Sequence, residues 1–483
     1  MTVLTIIDTT SIQNYIFGSN RLRENIGASA LVAAATDEWP SLILARKPQL
    51  GGKRLYSGGG NVVLLFDTMN NAKEFARHYS RQLIEDAPGL EAAVIHYEIG
   101  AEQKAGADEP QEDFKTALPR AMEALGKRKA SRPLSAPLNG LSVTVDCEST
   151  SLPTTGFDSL YLKQVAKNQR RYRAISSPIE AKVNRSHQEK TRNNLEDLLP
   201  AFHPDEADFR CWYDIDAGDP ELGKESEGSY LAVVHADGNN MGLRFEALTK
   251  MARDGAHAQQ LLADLSKMVD SAGRCAIQKL GDLLVRATPP PYTRLAGKIS
   301  LPLDEGQSTR IMPFRPLVYG GDDVTFICDG RLGLTLAAHY LDFFEKEMEE
   351  RLNETEIQSL LPEELKSVHA CAGIAVVKTH YPFARAYKLA EALCKNAKLF
   401  VHRAVTDEDI QNTTNKHDFS AMDWHFAGGG LYGSIATIRE REYKGAQGDL
   451  TMRPIRLQDT DTEWRTWSKF TNAVTEFQTG RAW

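Results

Sequence analysis

One arrangement occurs twice in this chain and limits its fold more than any other feature: an apolar strand, a helical stretch, then a second apolar strand introduced by a tyrosine and glycines. In the first copy these are Leu4 to Ile7, Leu22 to Ala35, and Val62 to Phe66 after Tyr56 and Gly58-Gly59-Gly60. A helical segment, Asn71 to Leu83, and a strand, Ala92 to Tyr97, follow. In the second copy Leu231 to His235 reads as strand, Ala256 to Lys279 as helix, and Val324 to Cys328 as strand after Tyr319-Gly320-Gly321. The helix Leu334 to Leu352, the strand Ala370 to Val377 and the helix Phe383 to Phe400 complete it. Short apolar runs bounded by glycines suit strands, whereas longer segments of 3.6-residue period suit amphipathic helices. Setting Leu4 on Leu231 and Gly58 on Gly320 aligns the copies with a longer insertion in the second, so the pattern predicts an internal duplication.

At 483 residues the chain exceeds one ordinary core and calls for two to four domains. The expected divisions are residues 1–125 for the first copy, 126–226 for a linker region with helices and a basic stretch, 227–403 for the second copy, and 404–483 for packing elements. The last part holds Gly428 to Gly430 and an amphipathic helix near Glu463 to Phe477. The amino terminus, MTVLTIIDTTSIQNYIF, begins like a strand and lacks a signal peptide's basic start and cleavage site. No apolar run approaches the roughly 18 residues of a transmembrane helix, so a cytoplasmic protein without a membrane partner is expected. Six scattered cysteines with no CxxC pair argue against a zinc clip or disulfide framework. A formal net charge of −8 argues against a surface that coats nucleic acid indiscriminately. A local exception lies between Lys163 and Arg192, where Arg170, Arg171, Arg173, Lys182 and Arg185 face only Glu180 and Glu189 among acids. That run is a candidate for binding RNA or triphosphates, with a solvated basic face as the alternative.

The chemistry concentrates at Tyr319-Gly320-Gly321-Asp322-Asp323-Val324, which the flanking apolar runs place on a tight hairpin. Adjacent carboxylates there repel unless a cation compensates, and hard divalent ions such as Mg²⁺ accept oxygen ligands together with phosphate oxygens. Asp237, directly after the strand Leu231 to His235 and followed by Gly238, supplies a third carboxylate. In such a sheet the end of the first strand and the hairpin tip meet at one edge. That suits metal-assisted phosphoryl or nucleotidyl transfer with Mg²⁺ or Mn²⁺ at Asp237, Asp322 and Asp323. A solvated hairpin is the alternative for the turn taken alone.

These residues resemble the Cas10 (Cmr2/Csm1) family, the large subunit of type III CRISPR effector complexes. Ile12-Gln13-Asn14-Tyr15-Ile16-Phe17, Leu22-Arg23-Glu24 and Gly27-Ala28-Ser29 look like the family's opening signature in its first palm. Ala236-Asp237-Gly238 through Met241-Gly242 resembles the start of the second palm, and Gly320-Gly321-Asp322-Asp323 its catalytic turn. Ala372-Gly373-Ile374 and Ala397-Lys398 resemble the later strand and helix. The resemblance implies an α+β fold of two ferredoxin-like palm domains and synthesis of cyclic oligoadenylates from ATP in antiviral defence. It makes Asp237, Asp322 and Asp323 catalytic and metal-binding. Gly238, Gly320, Gly321, Lys398 and, one helical turn earlier, Lys395 become nucleotide-binding candidates. In the first palm Gly58-Gly59-Gly60-Asn61 stands where the second has Gly320-Gly321-Asp322-Asp323, so metal binding there is not expected. Ser57, Gly58, Gly59 and Asn61 are candidates for holding a second nucleotide.

Many family members carry an amino-terminal HD nuclease and a cysteine-rich zinc element. Here the first palm begins near residue 4 without paired cysteines between the copies, so DNA cleavage is not expected. The short carboxy-terminal tail suggests a minimal or stand-alone relative, with CRISPR-type protein subunits as candidate partners. The alternative is a catalytically silent nucleotide-binding scaffold or RNA-binding subunit. A mononucleotide cyclase working as a symmetric dimer is disfavoured by the two palms already present in one chain.

Overall fold

The computed structural model describes residues 2–100, 112–131, 143–158, 173–203, 208–213, 230–304, 308–353, 355–379, 381–406, 418–428, 433–460 and 463–480. The chain divides into two compact units, one of residues 1–195 with 248–267 and one of residues 196–247 with 268–483.

The first unit is built on β1 (Val3–Thr10), α1 (Leu22–Ala33), β2 (Lys53–Gly58), β3 (Asn61–Phe66), α2 (Met69–Asp86) and β4 (Glu91–Glu98). Its strands lie in the order β2-β3-β1-β4, with β1 antiparallel to both neighbours. This is the ferredoxin-like palm arrangement, in which each helix connects strands that are not hydrogen-bonded neighbours. The sequence accounts for α2 directly. Thr68 accepts a hydrogen bond from the Asn71 amide at its start, one of the orphan N–H groups that such caps satisfy. Ala72, Phe75, Tyr79 and Leu83 form its buried stripe at three- and four-residue spacing. A further helix, α3 (Phe114–Ala130), begins in a capping box between Asp113 and Thr116.

The structure describes part of the basic run between Lys163 and Arg192. Lys163 to Tyr172, with Arg170 and Arg171, lies outside the described residues. Of the rest, Arg173 is buried and pairs with Glu24 and Asp158, and Asp158 also takes Arg23 at 2.6 Å. Lys182, on α4 (Ser177–Ser186), is buried against the Tyr15 carbonyl at 2.7 Å, and Arg185 pairs with Glu38 at 2.9 Å. These three cations are taken up inside the first unit. Isolated buried ions are costly, so only such pairing makes their burial tolerable.

The second unit repeats the wiring: β5 (Tyr230–Gly238), α5 (Met241–Met251), α6 (Gly255–Arg286), β6 (Phe314–Gly320), β7 (Asp323–Asp329), α7 (Gly333–Asn353) and β8 (Ala370–Lys378). The helices α5 and α6 occupy the place of α1, part of them belonging to the first unit. The sheet order is β6-β7-β5-β8, then β9 (Ala421–Ala427) and β10 (Ile455–Arg456). Leu231 to Ala236 are all buried, as a central strand covered on both faces requires. On α7 the buried stripe includes Leu336, Tyr340, Phe344 and Met348, and burying each such side chain is worth about 1.5–3 kcal/mol.

Pairing fixes how the two palms correspond. Asp8 faces Asn61 across β1 and β3, and Asp237 faces Asp323 across β5 and β7. Asp8 therefore corresponds to Asp237, whereas setting Leu4 on Leu231 would place it on His235. The turns correspond as the glycines predict, Gly58 with Gly320 and Asn61 with Asp323. The last segment does more than pack: β9 joins β8 in parallel along seven residues. Its sequence, AMDWHFA, alternates apolar and polar residues from Met422 to Phe426, the two-residue period of a strand. Of the glycine cluster after it, Gly429 and Gly430 lie outside the described residues. The closing helix α9 runs Trp467–Thr479. No helix among the described residues is long and apolar enough to cross a membrane.

Candidate active site

The site grows from the end of β5. Antiparallel pairing puts Asp237 directly opposite Asp323, and Gly320 closes the hairpin against Asp323. Gly321 takes a φ of 76° at the tip, a left-handed conformation that glycine adopts without steric cost. Asp322 follows it, and the Gly238 N–H donates to the Asp322 carbonyl at 3.2 Å. A Cβ on Gly238 would lie 2.8 Å from the Asp322 Cβ, so a side chain there would push the strand end and the turn apart. The first palm has the same bond, from the Thr9 N–H to the Gly60 carbonyl at 2.9 Å.

Lys398 comes from α8 (Phe383–Thr406), the helix after β8. Its Nζ donates to Asp237 Oδ2 at 2.6 Å and to the Gly238 carbonyl at 2.8 Å. Lys395, one turn earlier, is exposed, and it is Lys398 that reaches the carboxylates. His235 Nδ1 lies 3.3 Å from Asp323 Oδ1 and 3.3 Å from Thr325 Oγ1. Burial, and then the Asp237 charge, push Asp322 up to about 6, with Asp323 adding to the effect. Burial opposes charge on Lys398, but Asp237 outweighs it and the pKa is raised. His235 behaves alike: burial lowers its pKa, and Asp323, Asp237 and Glu391 raise it further than burial lowers it.

A second layer fixes the chain just past Asp237. Buried Arg244 bonds the carbonyls of Asn239, Leu365 and Ser367, and Asn239 Nδ2 donates to Asp418 Oδ1 at 2.9 Å. Asn240 takes a φ of 56° in this turn. The sequence alone points to no role for His235, Arg244 or Asp418. Asp418 lies far along the chain, and one arginine in an amphipathic helix carries no sign that it bonds backbone carbonyls.

The first-palm candidates sit in a different chemical setting. Gly58 and Gly59 are exposed at the tip. The Ser57 carbonyl accepts from Ser266 Oγ at 3.1 Å, and Asn61 Oδ1 is buried without a hydrogen-bond partner. Asp8 pairs with Lys129 of α3 at 3.0 Å. The turn offers no carboxylate to join it.

The donor set at the second turn fits a hard divalent ion: Asp237 and Asp323 are paired across two strands, Asp322 is adjacent, and Asp323 Oδ1 lies 3.3 Å from the His235 ring. Among the described residues no three acidic, histidine or cysteine side chains converge closely enough to hold an ion unaided. Mg²⁺ is commonly held by one or two carboxylates with substrate phosphates and water completing its shell, and such a site needs no closed protein cage.

Residues 230–404 match the family model described as Cas10/Cmr2, second palm domain. The chain carries a Cas10/Cmr2 second palm. That matched segment contains Asp237, Asp322, Asp323 and Lys398. Solved structures similar to the chain include a Csm1-Csm4 cassette in complex with cA4, at 15% identity and a TM-score of 0.45. A Csm1-Csm4 cassette with AMPPNP has 15% identity and a TM-score of 0.44. A Csm1-Csm4 subcomplex of the type III-A CRISPR-Csm interference complex has 14% and 0.43. Each match covers 83% of this chain and 53% of the other, so the chain spans about half the length of these structures. No curated protein matches the sequence.

Proposed function

We propose that the second palm is a metal-dependent nucleotidyltransferase that joins the 3′-oxygen of one nucleoside triphosphate to the α-phosphate of another. The product is a cyclic oligonucleotide signal in CRISPR type III-like defence, with ATP as substrate. One observation carries this reading: Asp237 and Asp323 face each other across β5 and β7 with Asp322 beside them, inside a segment that matches the Cas10/Cmr2 second palm.

In the reaction a P–O bond forms between the attacking 3′-oxygen and the α-phosphorus as the bond to pyrophosphate breaks, and the hydroxyl proton leaves to solvent. Asp237, Asp322 and Asp323 would hold Mg²⁺ or Mn²⁺, which when bound neutralises the phosphates and favours ionisation of the attacking hydroxyl. The protein's share is placement. The Gly238–Asp322 backbone bond and the Arg244 staple hold the carboxylates fixed, and in-line transfer depends chiefly on such positioning and charge. Lys398 places an ammonium beside Asp237, within reach of a triphosphate drawn to the same carboxylates through a shared ion.

A silent nucleotide-binding scaffold has one observation in its favour, since Lys398 already neutralises Asp237 Oδ2. Pyrophosphate release and product mass, measured with each NTP and Mg²⁺ or Mn²⁺, separate the two. A cyclic product absent from Asp322→Ala/Asp323→Ala is expected. Equal release by that variant would sink the enzyme reading, and nucleotide binding without release by the native chain would establish the scaffold.

A further inference from the structure

The helix that follows the carboxylate hairpin carries a buried polar group that the proposed reaction leaves unused. Tyr340 lies on the buried stripe of α7, where its ring stacks on Phe344 at 6.1 Å and meets Phe326 of β7 at 6.4 Å. The residue is 1% exposed, and its hydroxyl is buried with no hydrogen-bond partner. Such a hydroxyl forfeits its bonds to water and gains nothing in return. A phenylalanine would fill the same space without that cost.

The hydroxyl sits beside the tip of the carboxylate turn. A Cβ on Gly273 of α6 would stand 2.8 Å from the Gly321 carbonyl oxygen and 3.7 Å from the Tyr340 hydroxyl. Glycine at 273 thus lets α6 approach the turn, and a buried donor and the tip carbonyl border the same small space. Among the described residues no backbone N–H donates to the Gly321 carbonyl, whereas the next carbonyl, that of Asp322, takes the Gly238 N–H at 3.2 Å. Burial, and then the charges of Asp322 and Asp323, raise the Tyr340 pKa well above its usual value, so the hydroxyl keeps its proton and serves as a donor. The first palm offers a contrast. Tyr79 on α2 also carries a buried hydroxyl without a partner, and there burial is the cause of the raised pKa.

We infer that Tyr340 is a positioning residue for the carboxylate turn: its hydroxyl donates to the Gly321 carbonyl when nucleotide and ion occupy the turn, and so fixes the tip that presents Asp322 and Asp323. In the free chain three carboxylates share one lysine, and like charges oppose closing of the turn. Compensation of that charge lets the tip settle toward α6 and α7, where the buried donor meets its acceptor. The inference rests on the nucleotidyl-transfer reading and assigns Tyr340 no contact with substrate.

The test is calorimetric titration of the full chain with α,β-methylene-ATP and Mn²⁺, together with the melting temperature in EDTA, for the native protein, Tyr340→Phe, Tyr79→Phe and Asp322→Ala/Asp323→Ala. Tyr340→Phe is expected to bind about fivefold more weakly, the scale of one buried neutral hydrogen bond. Its melting temperature in EDTA should equal or exceed the native value, because the deleted hydroxyl is unpaired there. Tyr79→Phe should behave alike in melting temperature and bind as the native chain does. Native binding that Tyr340→Phe leaves unchanged overturns the role of Tyr340 and spares the nucleotidyl-transfer reading. A lower melting temperature for Tyr340→Phe in EDTA also overturns it, since the hydroxyl would then be bonded already in the free chain. Absence of native binding, or equal binding by Asp322→Ala/Asp323→Ala, removes the reading itself and this inference with it.

Discussion

The two palms share their strand order, the pairing of a first-strand aspartate with the third strand, the backbone bond that closes the turn, and a lysine brought to that aspartate. The lysines even correspond in position. Lys129 and Lys398 each stand fifteen residues after the phenylalanine that opens the helix following the fourth strand, Phe114 or Phe383. The palms differ at two residues of the tip, where Gly60 and Asn61 take the places of Asp322 and Asp323. A lone carboxylate beside a lysine is a balanced ion pair. Three carboxylates beside one lysine leave surplus negative charge, and that surplus is what a divalent ion and its nucleotide would compensate. The difference in chemistry thus lies in a few side chains carried on a common frame.

The largest effect should come from removing the first-strand aspartate in each palm. Asp237→Ala is expected to lower the rate of product formation by about 10³-fold, the scale seen when one electrostatic contact to a transition state is lost. Asp8→Ala should leave the rate within about twofold by the same reasoning, since no other acid joins it at the tip. Pyrophosphate release under matched Mg²⁺ or Mn²⁺ measures both. Comparable losses in the two variants would break the comparison and assign metal chemistry to the first palm as well.

Lys398→Met comes next. It removes an ammonium that neutralises Asp237 and reaches Gly238. The expected loss in kcat/KM is about 10- to 100-fold, or roughly 1.4–2.7 kcal/mol of transition-state stabilisation. If the lysine contacts the triphosphate in the ground state the loss will appear in KM, and if it acts only as charge builds in the reaction it will appear in kcat. A faster variant would show instead that the lysine blocks the metal position.

A smaller effect, on stability, is expected from Gly238→Ala. The added Cβ would stand 2.8 Å from the Asp322 Cβ and 3.0 Å from Met241 Cγ, so strand end and turn must separate. Overpacking of this kind costs about 1–3 kcal/mol, readable as a lower midpoint in urea. At Gly59 the φ is 56° and nothing lies within 4 Å of an added Cβ, so Gly59→Ala carries only the backbone cost of about 1–2 kcal/mol.

Much of this frame is legible in the sequence, because both palms alternate short apolar strands with amphipathic helices and mark the hairpin with glycines. The turn Gly320-Gly321-Asp322-Asp323 and its partner Asp237 stand out because adjacent acids beside glycines demand an explanation. Resemblance singles out Lys398, and geometry distinguishes it from Lys395. What sequence does not carry is whatever depends on distant contact. Asp418 reaches Asn239 from far along the chain, and although Met422 to Phe426 alternate as a strand does, nothing local says that this strand will lie parallel to β8. Two members of the basic run show the same thing: composition counts Arg173 and Lys182 as surface charge, and only the fold reveals the Glu24, Asp158 and Tyr15 groups that bury them.

The smallest effect is the sharpest test of the comparison. Lys129 is 43% exposed and Asp8 14%, so their ion pair is screened by solvent and worth about 0–1 kcal/mol. Lys129→Met should therefore shift stability by no more than that and leave the reaction rate unchanged, where Lys398→Met at the equivalent position slows it. Both substitutions delete the same charge from the same place in the same fold, so a difference between them can come only from the two turns. Adding an acid with Asn61→Asp, which leaves the left-handed Gly60 at φ 86° in place, would then raise the demand on Lys129, and Lys129→Met in that background should lower the melting temperature more than in the native one. An identical shift in both backgrounds would mean that the turn acid and the lysine do not interact, and that the lysine's correspondence between palms is a matter of helix geometry alone.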